Sequence, residues 1–509
     1  MRYNFTCCSF AILIVCASTT IAFPRGGGGN YTRLRNEILE YERRLMIGAN
    51  LSLSDVERAA NKILMKAKQE ELHAGFKDPR LFAPARNFLE AKNDIDGSKV
   101  FQLIRHMPKG AVLHSHDTAL VSSDYIYYNV TFRNDLYACI EKDTVELRFF
   151  RVPDNSCSWE LLKDIRRDPT RGEIVNDMIR KRMSMRCDDP TSSYPNVDRA
   201  WHKFIDIFAF VGPLLTYRPV YEDYFLEALN QLYEDNVMYL ELRSTLPTLY
   251  DFDATTKYKP RDLVGIYRNL TRRFKEMHPD FVGAKLIYAP RRSDTYEDTR
   301  DHVRIMSEIK ELYPDFVAGF DLVGQEDKGH TLEEFADLLR EVGKRNISFF
   351  FHAGETNWLG APTDENLVDA ILLNTRRIGH GYALASHPFL MELVKRMDIA
   401  IEVNPISNQV LKLVDDLRNH AARSLFAEGY AVVVSNDDPS FWGARALSYD
   451  FYEAFMALMS SHADLKSLKQ LALNSFIYSS LGDDEKQKAI DRWQGKWQKY
   501  VEDLAVGRK

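Results

Sequence analysis

Ala111-Val112-Leu113-His114-Ser115-His116-Asp117 is a run of small and apolar residues that ends in two imidazoles two positions apart. Side chains at i and i+2 of a strand share a face, so the run reads as a buried strand delivering two nitrogen donors to one point. Three later stretches repeat the pattern: Phe349-Phe350-Phe351-His352-Ala353-Gly354-Glu355, Arg377-Ile378-Gly379-His380-Gly381 and Val432-Val433-Val434-Ser435-Asn436-Asp437-Asp438-Pro439. In each, a β-type run turns at its last residues into His, Glu or Asp.

From residue 199 onward such runs alternate with helical periodicity. The predicted strands are Val237 to Arg243, Ala284 to Tyr288, Val317 to Val323, Ile347 to His352, Arg377 to Gly381, Ile399 to Asn404 and Ala431 to Ser435. With the opening strand they make eight β/α units. Strands that are apolar throughout and separated by helices imply a parallel sheet. Polar residues end strands one, four, five, six and eight. A doubly wound open sheet would gather them at one switch point, whereas a closed (β/α)8 TIM barrel converges them on one mouth, so the barrel is the expected α/β fold.

The chain has 509 residues, 45% hydrophobic and 28% charged, which suits one large domain with smaller attachments. Its 67 basic and 73 acidic residues leave a formal charge of -6, and no basic block marks a nucleic acid or an anionic membrane as partner. Arg2, the apolar run Cys7 to Ala17 and Thr20-Ile21-Ala22 read as a signal peptide over residues 1–22, so a secreted, extracellular protein without a membrane span is expected. The sequons at Asn30, Asn50, Asn129 and Asn269 agree with that address; Asn346 leads straight into a strand and is excluded.

After the glycine run Gly26 to Gly29, residues 30–105 read as an N-terminal helical domain. Leu34, Ile38, Tyr41 and Leu45 mark one helix face, and Ser54-Asp55-Val56-Glu57 is a capping box opening the next helix. Such helices pack on the barrel or on a second protomer. Residues 118–198 interrupt the barrel, which is assigned to 106–117 and 199–509. This inserted module holds Cys139, Cys157 and Cys187, the cysteines left after the signal peptide. Cys139 and Cys157 flank the strand-like Val145 to Phe150, so these two are expected to pair, with Cys187 as the odd thiol.

His114, His116 and His352, with Asp437 or Asp438, form a donor set suited to zinc, one ion per chain, which lowers the pKa of a water toward neutrality. Glu355 is the candidate general acid, and His380, between two glycines, is placed to orient or deprotonate the water. The zinc deaminase pattern with C-x-x-C is absent, which argues against cytidine-type chemistry.

Taken together, HSHD, DLVGQED, FFFHAGET, RIGHGYAL, PISNQVLKL and SNDDPS resemble the adenosine deaminases of the metal-dependent amidohydrolase type, specifically the secreted adenosine deaminase-related growth factors. The resemblance implies zinc on His114, His116, His352 and Asp437, with Glu355 protonating purine N1 and His380 accepting a proton from the water. It further implies Asp438 at N7, the Gly324 N–H at N3, Asp117 on the ribose, and Trp201 to Phe208 near the sugar; Trp201-Phe204-Ile205-Phe208 also suits an amphipathic helix burying its apolar face. The chain departs from the secreted branch after the third strand, where Ala289-Pro290-Arg291-Arg292 puts Arg291 in place of a sugar-contacting His. Adenosine and 2′-deoxyadenosine are the implied substrates and a homodimer the implied assembly. The competing reading is a growth factor acting through a cell-surface receptor or glycan, and a third is an amidohydrolase acting on another amine or ester.

Overall fold

Eight strands with few polar residues along their length, each followed by helix, close into a ring. A computed structural model describes residues 28–142, 144–252 and 257–508; the signal peptide read over residues 1–22 lies outside the described residues. The barrel strands are β1 (Gly110–His116), β2 (Val237–Ser244), β3 (Gly283–Tyr288), β4 (Val317–Phe320), β5 in two pieces (Ser348–Phe349 and His352–Ala353), β6 (Arg377–His380), β7 (Ala400–Val403) and β8 (Val432–Val434). All adjacent pairs are parallel, in the order β1 to β5 and again β5 to β8. Phe350 N–H donates to Phe320 O and Gly379 N–H to Phe351 O, which carries the ladder across the break in β5. The ring closes where Ser115 pairs with Asp437.

Each predicted strand is present within a few residues of its expected bounds. β4 stops at Phe320, short of Val323, because the Asp321 carboxylate turns back to accept the Leu322 N–H at 2.7 Å, which ends the extended run.

The chain divides into two units, Met1–Arg43 and Arg44–Lys509. The described part of the first is most of helix α1 (Gly28–Leu45). In the second, α2 (Asp55–Lys77) begins with the predicted capping box, Ser54 N–H donating to Glu57 at 2.8 Å and Glu57 N–H to Ser54 Oγ at 3.3 Å. α2 lies against the C-terminal helix Asp483–Ala505, whose Trp497 Nε1 donates to Glu57 Oε1 at 2.7 Å, and Lys469 Nζ of the preceding helix Leu465–Ile477 donates to the same oxygen at 2.6 Å. Residues 44–105 therefore share one hydrophobic core with the barrel.

The insertion builds a three-stranded antiparallel sheet, with Leu136–Glu141 between Thr144–Phe149 and Glu160–Leu161. Cys139 and Cys157 are disulfide-bonded with Cα atoms 6.1 Å apart, and Cys187 is a free thiol.

Candidate active site

Barrel closure assembles the centre. His116 N–H donates to Asp437 O at 3.1 Å and Asp437 N–H to His114 O at 3.2 Å, so the β1–β8 seam is itself the link that brings the two histidines to the aspartate. Asp437 takes φ +56°, a left-handed turn that lifts its carboxylate out of the strand direction. Its Oδ1 lies 3.0 Å from His116 Nε2 and 3.2 Å from His114 Nε2. His352, from the second piece of β5, completes a set whose ligand atoms all fall within 4.8 Å of one another.

The donor chemistry of this set fits a divalent cation. His114 Nδ1 meets Glu402 Oε2 and His352 Nδ1 meets Asp321 Oδ2, each at 2.7 Å. A carboxylate on Nδ1 puts the ring hydrogen there and leaves the Nε2 lone pair for a metal. His114 Nε2 and Asp437 Oδ1 are buried, and neither has a hydrogen-bond partner. Buried polar atoms are rarely left unpaired, and two acceptors aimed at one point need a positive charge between them.

Below the donors lies a charged layer that sequence reasoning missed. Arg243 donates to Asp321 Oδ2 at 2.7 Å, Glu402 Oε2 at 2.8 Å, and the carbonyls of Leu113 and Phe350 at 3.0 Å. Arg377 joins Glu402 at 2.5 Å to Glu241 at 2.7 Å. All five side chains are buried. Burial by itself would raise the carboxylates, but His352 and Arg243 hold Asp321 well below its ordinary range, and Arg243 and Arg377 do so for Glu402. The sequence signal was available: a charge inside an otherwise apolar run, as at Glu241, Arg243 and Glu402, points into a barrel.

Across the donor set, Glu355 is buried, and its carboxyl is pushed well above the usual range by that burial, then by the charges of Asp437 and Glu326. Burial and neighbouring negative charge favour the protonated form of such a carboxyl, the form that has a hydrogen to donate. Glu326, also missed, accepts the N–H groups of Gly354 at 3.0 Å and Glu355 at 2.5 Å, which fixes the turn carrying the acid. His380, at φ +60°, faces Glu355 Oε1 through Nδ1 and Asp437 Oδ2 through Nε2, both at 3.6 Å. Asp438 is raised by burial and by the neighbouring Asp437, and its Oδ1 has no partner.

The remaining expected residues divide. Asp117 is buried and receives the Tyr267 hydroxyl at 2.8 Å. Gly324 takes φ +111°, a conformation that a side chain would strain. Trp201 is buried edge-on to Phe204, and Phe208 packs on Phe441 three residues beyond Asp438, so these three are core where the helix meets the mouth, whereas Ile205 points to solvent instead of joining the expected apolar face. Arg291 stays outside the cluster: its side chain is 70% exposed and pairs with Asp294 at 3.3 Å. Its neighbour Arg292 is the buried cation, donating to His352 O at 2.9 Å and lying 3.8 Å from Glu326.

Residues 185–495 match the family model described as adenosine deaminase, and residues 11–104 match the adenosine/AMP deaminase N-terminal model. The chain belongs to the adenosine deaminase family. It is 44% identical over 487 residues to an adenosine deaminase of Phlebotomus duboscqi, covering 94% of this chain and 93% of that one. Adenosine deaminase 2 of Homo sapiens is 39% identical over 479 residues, with 93% of each chain covered. Among solved structures, Arabidopsis ADAL complexed with GMP superposes with a TM-score of 0.56 at 17% identity, over 77% of this chain and 98% of that one. A cog1816 amidohydrolase from Burkhoderia ambifaria with bound Zn does so with a TM-score of 0.55 at 19% identity, over 80% and 95%. These two likenesses concern the barrel fold.

Proposed function

We propose that the protein is a secreted, zinc-dependent adenosine deaminase that hydrolyses adenosine and 2′-deoxyadenosine to inosine or deoxyinosine and ammonia. The observation that carries this reading is the convergence of three histidines and an aspartate on one point, with the buried Glu355 carboxyl facing His380 beside them. The names of the relatives in Phlebotomus duboscqi and Homo sapiens support adenosine as substrate, and the bound Zn of the amidohydrolase neighbour supports the metal.

His114, His116, His352 and Asp437 would hold one zinc ion, which would supply Lewis-acid activation of a water at neutral pH. Hydrolysis replaces the C6 amino group by the oxygen of water and releases ammonia, and Glu355 would protonate N1 as negative charge develops on the ring. The Gly324 N–H meets N3 and Asp438 meets N7, fixing the ring edge, while Asp117, oriented by Tyr267, takes a ribose hydroxyl. His380 Nε2 faces Asp437 Oδ2, on the side of the four donors. The Trp201–Phe208 face closes the sugar side. A signal peptide delivers the chain outside the cell, and the Leu34, Ile38 and Tyr41 face of α1 takes a second copy to form a homodimer.

The test is loss of adenosine's ultraviolet absorbance on adding purified, zinc-loaded protein, with guanosine and cytidine as controls. Conversion of adenosine alone supports the reading. Equal or faster turnover of either control, or none of adenosine, overturns it.

A further inference from the structure

His380 stands at the end of a hydrogen-bond chain whose direction is set by a backbone amide. The Ala422 N–H, which has no other role than donor, points at His420 Nδ1 at 3.0 Å. His420 Nδ1 is therefore an acceptor, and the ring, buried and held down to about 3 by that burial, is neutral with its hydrogen on Nε2. His420 Nε2 lies 2.9 Å from Asn408 Oδ1, so the amide oxygen takes that hydrogen and the amide nitrogen is turned the other way. Asn408 Nδ2 lies 3.0 Å from His380 Nδ1. Each step follows from the one before, beginning at a group that can only donate, so the orientation of the Asn408 amide is fixed by chemistry.

We infer that His420 and Asn408 are positioning residues that fix the tautomer of His380, forcing Nδ1 to accept and Nε2 to carry the hydrogen in the neutral ring. This deepens the proposed deaminase reading: His380 meets the water as a hydrogen-bond donor, orienting it, and has no free lone pair on Nε2 with which to remove its proton. The other groups facing the ring agree. Glu355 Oε1 stands 3.6 Å from Nδ1, beyond hydrogen-bond reach, and Asp437 Oδ2 stands 3.6 Å from Nε2, on the side where an N–H is favourable. Asn408 and His420 are buried and their chain is complete, so no solvent competes for its direction.

Asn408→Asp tests this. A carboxylate there accepts from His420 Nε2–H and from His380 Nδ1–H together, leaves neither ring unpaired, and moves the His380 hydrogen to Nδ1. With histidine selectively labelled with 15N in the zinc-loaded protein, the two ring nitrogens resonate far apart according to which bears hydrogen. The wild type should show His380 protonated on Nε2 and N408D on Nδ1, with unchanged metal content, kcat lowered at least tenfold and KM little altered. A His380 hydrogen on Nδ1 in the wild type overturns the inference, as does a variant with the inverted tautomer that retains or gains kcat, the outcome expected of a general base. Should N408D not fold, the wild-type resonances decide alone. The spectrum of the resting protein is independent of substrate, so a protein with the Nε2 hydrogen that leaves adenosine untouched refutes the deaminase reading and not the tautomer.

Discussion

Arg243→Met removes the guanidinium beneath two histidines of the proposed metal site at once. The wild-type side chain makes four buried hydrogen bonds, two of them to carboxylates. Breaking a buried ion pair by deleting one partner costs roughly 3–5 kcal/mol. Here the low end applies, because three of the four groups left behind keep other partners. Asp321 still accepts the Leu322 N–H, the His352 N–H and His352 Nδ1. Glu402 keeps Arg377 and His114, and Leu113 O keeps Arg377, so only Phe350 O loses its side-chain donor. The expected loss is about 3 kcal/mol. With an unfolding entropy of about 2 cal/mol/K per residue, a chain of this size has about 1 kcal/mol per degree, so the midpoint falls by about 3 °C in scanning calorimetry. The two carboxylates also orient His114 and His352, and loss of such outer contacts weakens metal binding by about 10–100-fold, which competition with a chelator measures. An unchanged midpoint together with unchanged metal affinity would show that the charged layer neither supports the fold nor aims the ligands, and would refute the reasoning.

Glu355→Gln preserves size while removing the donated proton, so kcat should fall by roughly 10²–10⁴-fold with zinc retained; near-normal turnover sends the search to another acid. If the variant still stimulates growth of cells that respond to the wild type, the receptor reading gains over the enzymatic one. His116→Ala should lose metal and activity together, as read by metal analysis on the purified variant. Glu57 is the acid-sensitive point of the helical layer. Despite the opposing effect of burial, Lys469, Ser54 and Trp497 bring it down to about 2, so its stabilisation is complete above the unfolded-state value and fades as pH falls from about 4.5 to about 2. After solvent screening this is worth about 1–2 kcal/mol, and Glu57→Gln should flatten the acid limb of the unfolding midpoint; an unaltered limb would discount the group. Deleting residues 1–43 should yield a monomer by light scattering, whereas starting near Ser98 removes α2 from the C-terminal helix and should aggregate. A dimer surviving the shorter deletion would move the contact elsewhere.

The barrel was legible because burial on both faces demands apolar strands and helices between them, a local pattern visible in β1 and in Val432-Val433-Val434. The cluster of strand-end donors was legible for a related reason. A barrel can place ligands at one mouth only by ending strands with them, so His114, His116, His352 and Asp437 each sit at the end of an apolar run. The disulfide followed from two cysteines flanking one hairpin-like strand. Other features depended on partners far away in the chain. Glu402 and Arg243 are 159 residues apart, and nothing near either one states that they share a buried carboxylate–guanidinium contact. The direction of the His420–Asn408–His380 chain is likewise set by an amide hydrogen at Ala422, in a loop with no catalytic signature. Arg291 and Arg292 are adjacent and chemically alike, and backbone geometry alone sends the first to solvent and the second beneath His352. Periodicity and strand-end chemistry are properties of neighbours along the chain, whereas tautomers, ion networks and the choice between adjacent arginines arise only once closure at Ser115 and Asp437 has brought distant strands together.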